Sequence, residues 1–97
     1  MLFSIVCTDK PAGLETRLAT REQHLAYLKT YADRIQFAGP TLGTDGRPCG
    51  SLLLIDVADR AEAEGFAASD PYAKADLFES VVIRPVRTVF RDGELAE

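Results

Sequence analysis

The chain has 97 residues, of which 46% are hydrophobic and 27% charged, with a formal net charge of −4; this is enough for one globular domain and too little for two cores. An acidic chain lacks the cationic surface that contacts to phosphates demand, which argues against a nucleic-acid partner. The longest strongly apolar run, 51–57, is too short to cross a bilayer, and Met1-Leu2-Phe3-Ser4-Ile5 has neither the basic leader nor the cleavage site of a signal peptide, so a single cytoplasmic domain over 1–97 without a membrane partner is expected.

Leu2 to Thr8 is rich in apolar and β-branched residues and runs into the breaker cluster Asp9-Lys10-Pro11-Ala12-Gly13, which predicts a strand and then a loop to about Ala19. Thr20-Arg21-Glu22-Gln23 fits a capping box, so a helix is expected from Arg21. Its core stripe would be Leu25, Leu28, Ala32 and Ile35, with Lys29, Asp33 and Arg34 toward water. Ile35 to Leu42 reads as a second strand, and the turn-rich 43–48 joins it as a hairpin to a third, Ser51 to Val57. Asp59 with Glu62 opens a second helix that turns Ala63, Phe66 and Ala67 inward, and Asp70-Pro71 starts a short extra turn. Leu77 to Phe90 reads as the last strand, and 93–97 as a frayed acidic tail.

The order βαββαβ is that of an α+β, ferredoxin-like sandwich with an antiparallel sheet and both helices on one face. Two helices leave the other face bare. Leu52 and Leu54 point to one side and Leu53 and Ile55 to the other, and Val81, Val82, Ile83, Val86 and Val89 repeat the pattern. The simplest cover is a second copy of the chain, sheet against sheet, in a homodimer.

Cys7 and Cys49 are far apart, with no CxxC and no nearby histidine, so no metal or redox site is expected and both read as core thiols. Arg84, Arg87 and Arg91 cluster late, diluted by Glu79 and Asp92; they either solvate a strand or hold one small anion. His24 is the only histidine. Imidazole titrates near neutral pH, so His24 is the first candidate for proton transfer, against the plainer role of a satisfied, half-buried side chain. In the first turn of a helix from Arg21 it would feel the positive end of the helix dipole, which favours the neutral ring. Asp9-Lys10 either lines a pocket mouth or is ordinary turn sequence. Asp70, ahead of Pro71, reads equally as a simple N-cap.

Asp9-Lys10, Leu14-Glu15-x-Arg17-Leu18, Arg21-x-x-His24-Leu25-x-x-Leu28, Ala38-Gly39-Pro40, Gly50-Ser51 and Asp70-Pro71-Tyr72, in this order, resemble the YciI-like (YCII-related) family across nearly the whole chain. The resemblance implies a dimeric α+β barrel of ferredoxin-like subunits with a pocket around a histidine and an aspartate. It makes His24 and Asp70 an acid/base pair, with Arg17, Ser51, Tyr72 and Asp9 around a small polar or anionic organic ligand. A hydrogen bond from one ring nitrogen to Asp70 would fix the tautomer and free the other nitrogen for a substrate proton. The activity implied is elimination or isomerisation without metal or cofactor. Two alternatives stand beside it: a ligand-binding or accessory domain without catalysis, and a cofactor-free monooxygenase on the same barrel.

Overall fold

Strand β1 (Leu2–Asp9) alternates as its sequence does: Phe3, Ile5, Cys7 and Asp9 are buried on one face, while Val6 and Thr8 are exposed on the other. In the computed structural model, which describes residues 1–97, β1 runs antiparallel to both β3 (Pro48–Asp56) and β4 (Phe78–Pro85). β2 (Ile35–Leu42) pairs with the other edge of β3, giving one sheet of order β2-β3-β1-β4. With one helical crossover after β1 and another after β3, this is the ferredoxin-like α+β sandwich expected from the element order.

The first helix departs from expectation at its start. α1 spans Leu14–Lys29, Thr20 lies inside it, and the capping box does not form; Gly13 is the N-cap and makes no side-chain hydrogen bond. The cause is a tight turn at the breaker cluster: Ala12 takes φ of 61°, and the Gly13 N–H donates to the Lys10 carbonyl at 3.0 Å. A Cβ at Gly13 would meet Leu77 Cδ1 and that same carbonyl, each at 2.9 Å, so glycine lets the chain turn back this sharply. His24 consequently stands in the second half of α1, beyond the reach of the positive helix end, and the dipole effect expected on its ring does not operate. Ala32 falls in a 3₁₀ turn (Ala32–Arg34) beyond the helix and is exposed rather than part of a core stripe.

α2 (Arg60–Ser69) begins as its local sequence dictates. The Asp59 carboxylate accepts the Glu62 N–H at 2.9 Å, and Glu62 accepts the Ala58 N–H at 3.2 Å. Ala63 and Phe66 complete a core with Phe3, Ile5, Cys7, Leu53, Ile55 and Val57. A one-turn helix, α3 (Pro71–Lys74), follows with proline at its first position. β4 stops at Pro85, which has no N–H for the ladder, short of the expected Phe90. Two short strands, β5 (Phe90–Arg91) and β6 (Glu94–Leu95), then close a hairpin on Asp92-Gly93, whose φ values of 52° and 78° suit a type I′ turn. Part of the stretch expected to fray is therefore paired.

The face away from the helices carries Leu52, Leu54 and Val82 half-buried, with Val6 and Phe37 exposed. No helix of the chain is long and apolar enough to cross a membrane.

Candidate functional site

The residues that α1 buries are Arg17 and His24, while Leu18 on the same helix is 61% exposed. A helix that turns a cation and an imidazole inward must supply partners for both, because an unpaired buried polar group is costly. Arg17 finds them on the sheet. Its Nε donates to Asp9 Oδ2 at 2.7 Å, and its Nη2 to Asp9 Oδ1 at 2.8 Å and to Ser51 Oγ at 2.9 Å, a two-pronged guanidinium–carboxylate pair. Burial lowers the basicity of Arg17, but the hydrogen bonds and charge of Asp9 outweigh it and leave the pKa raised. Beside Ser51, Gly50 faces the other side of the sheet and keeps the strands close: a Cβ there would run into the Cys7 carbonyl and come within 2.6 Å of the Thr41 hydroxyl.

His24 finds its partner on the α2–α3 connection. Nδ1 lies 2.8 Å from Asp70 Oδ1, and the same oxygen accepts the Tyr72 N–H at 2.9 Å. Asp70 is thus both the cap of α3 and the partner of His24. A carboxylate accepts, so Nδ1 carries the proton of the neutral ring and Nε2 keeps its lone pair. Nε2 makes no hydrogen bond within the chain, and no buried side-chain nitrogen or oxygen lacks a partner, so Nε2 remains accessible. Tyr72 joins the two clusters. Its ring stacks on His24 with centroids 4.0 Å apart and planes at 18°, and the Arg17 Cζ lies 4.6 Å from its centroid. Burial raises the Tyr72 pKa, with Arg17 and then Arg21 pulling it down.

All six residues selected from the sequence therefore meet in one network. Arg17, His24, Ser51 and Tyr72 line a cavity of about 230 Å³ under α1, walled by β2 and β3, while Asp70 stands behind His24. Asp9 does not line this cavity: its carboxylate is taken up by Arg17, and with Lys10 it borders a separate cleft beside the start of α1. A cavity of about 150 Å³ admits benzene, so this one suits a single substituted ring. Arg21 also reaches the cavity and was not among the residues selected. The signal was present, because 17, 21, 24 and 28 share one helical face once the helix starts at Leu14.

Cys7 lies near the network but is not a nucleophile: burial first, then the charge of Asp70, pushes its thiol up to about 12. At pH 8 the native chain should expose one reactive thiol to an aromatic disulfide reagent, the exposed Cys49, and two once denatured. Two fast thiols in the native chain would contradict this environment for Cys7. No three His, Cys, Asp or Glu side chains gather in a metal-binding cluster.

Fold and site together define a small ferredoxin-like protein with a largely apolar pocket beneath its first helix, into which a few polar side chains project. The chain belongs to the YCII-related domain family, whose model matches residues 1–87. An uncharacterised protein of Haemophilus influenzae is 36% identical over 98 residues, covering 93% of this chain and 100% of that protein. Protein YciI of Escherichia coli is 34% identical with the same coverage. Among solved structures, the 5-chloro-2-hydroxyhydroquinone dehydrochlorinase TftG of Burkholderia phenoliruptrix, in complex with 2,5-dihydroxybenzoquinone, superposes with a TM-score of 0.86 at 35% identity, over 90% of this chain and 94% of that one.

Proposed function

We propose that the chain is a homodimeric enzyme in which His24, oriented by Asp70, moves a proton on a small hydroxylated ring compound during elimination or isomerisation. One contact carries the proposal: a buried carboxylate holds Nδ1 at 2.8 Å while Nε2 is left for a cavity of single-ring size. The similarity to a dehydrochlorinase bound to a dihydroxybenzoquinone supports elimination as the reaction type.

In such a step Nε2 accepts a proton from a ring hydroxyl or from a carbon beside a carbonyl. The electron pair of the broken bond forms a new π-bond, and the leaving group departs with its own bonding pair. The imidazolium, stabilised by Asp70, then releases its proton to water while the leaving anion diffuses away. In an isomerisation it returns the proton to a different atom of the substrate. Ser51 accepts from Arg17 and so keeps its O–H to donate to a substrate oxygen, and Arg17 has Nη1 left to donate.

Turnover of 5-chloro-2-hydroxyhydroquinone and of analogues with other leaving groups, followed by release of the leaving anion, tests the proposal. Acceleration over the spontaneous reaction supports it, and binding without acceleration across the panel makes the chain a ligand-binding module instead. The apolar sheet face supports the dimer. Light scattering at micromolar concentration should give twice the 10.6 kDa of one chain, and the monomer mass would refute the dimer.

A further inference from the structure

The charges around the cavity are one tight ion pair, Arg17 with Asp9, and two single charges, those of Asp70 and Arg21. Arg17 is neutralised by Asp9 through two hydrogen bonds of 2.7 and 2.8 Å, so its charge is not free for a ligand. Asp70 carries a negative charge beside a histidine that is neutral while it acts as a base. Arg21 is exposed at the cavity, and none of the ion pairs or side-chain hydrogen bonds of the chain includes it. Its positions three and four residues away along α1 hold Leu18, His24, Arg17 and Leu25, so no carboxylate lies on its own helix face to claim it. The Arg21 charge is nonetheless felt at the Tyr72 hydroxyl, placing it within electrostatic reach of the pocket interior.

Without Arg21 the site would hold one uncompensated negative charge, that of Asp70, and would repel an anion. With Arg21 it is balanced before the ligand enters. The cavity walls are largely apolar, among them Leu25, Leu28, Ala38 and Pro40, and low-polarity walls strengthen a charge at the mouth. We infer that Arg21 selects the charge of the ligand by pairing with an anionic oxygen on a single-ring compound, so that ionised hydroxyquinones and small ring acids are accepted over neutral rings of the same shape. This rests on the cavity being the substrate site, and it adds a substrate class and a specificity-determining residue.

Two probes differ in charge, 2,5-dihydroxybenzoquinone, a vinylogous acid ionised at neutral pH, and its neutral, slightly larger dimethyl ether, and the effect of Arg21 variants on each isolates the charge. Both are titrated calorimetrically into the full chain, in a Cys49→Ser background that removes the exposed thiol. The background protein should prefer the ionised probe. Arg21→Gln should weaken that probe about tenfold, the scale of one hydrogen bond to a charged group, leave the ether unchanged, and be largely rescued in Arg21→Lys. Equal affinity for the two probes in the background protein overturns the inference, as does an Arg21→Gln effect that is absent or equal for both. Because binding is read without turnover, a chain that shows this preference yet catalyses nothing keeps the inference and loses the enzymatic role.

Discussion

Replacing His24 with Gln is expected to lower kcat by about 10²–10⁴-fold, the usual contribution of a positioned general base, with little change in the affinity for 2,5-dihydroxybenzoquinone. Gln is chosen because its amide N–H can donate to Asp70, which otherwise would lose its partner at 2.8 Å; the fold and the cap on Tyr72 are then kept while the basic nitrogen is lost. Asp70→Asn probes the same step from the other side. Its oxygen can still accept both the Tyr72 N–H and the His24 Nδ1–H, which meet at one oxygen of Asp70, but the negative charge is gone. The imidazolium formed when Nε2 takes a proton then has no counter-charge, and turnover should fall although His24 is intact. Chloride release under saturating substrate, with melting curves to show that each variant is folded, decides the matter. A His24→Gln chain that turns over at the wild-type rate removes His24 as the base.

The features legible in the sequence divide physically between local and distant contacts. The start of α2 was legible because Asp59 and Glu62 cap it within four residues of each other. β2 was legible to its ends because a turn-rich segment closes it. The start of α1 was not, because two local signals compete: a capping box at Thr20, and a periodic pattern from Leu14 that wins once Ala12 adopts a positive φ, which its residue type does not advertise. That one displacement also hid Arg21, which was placed at the helix end instead of on the face shared by Arg17 and His24. β4 was overextended because Val86 and Val89 prolong the alternation and only Pro85 marks its end. The six site residues were picked out by their residue types and by family resemblance. Their pairing was beyond periodicity, since His24 meets Asp70 across 46 positions and Arg17 meets Ser51 across 34.

Asp9→Ala should be the most destabilising change in the network, at about 3 kcal/mol, because it leaves the Arg17 guanidinium in a buried site without a counter-charge. The side chains of Arg17 and Asp9 are only 5% and 4% exposed, so water cannot readily replace the lost carboxylate. For a domain of this size such a loss corresponds to a fall in Tm of roughly 15 °C. The cost belongs to the orphaned charge and not to the pair itself. A buried ion pair is often no better than apolar residues of similar volume, so Asp9→Ala combined with Arg17→Met should recover most of the stability that Asp9→Ala loses. Urea unfolding of the two single variants and the double variant measures the coupling directly. A single Asp9→Ala variant as stable as wild type, or a double variant no more stable than Asp9→Ala, would show that Arg17 does not depend on Asp9. The double variant also separates stability from function: it restores the fold while removing the Arg17 donor beside Ser51 and the cation over Tyr72, so its kcat should stay low even where its Tm returns.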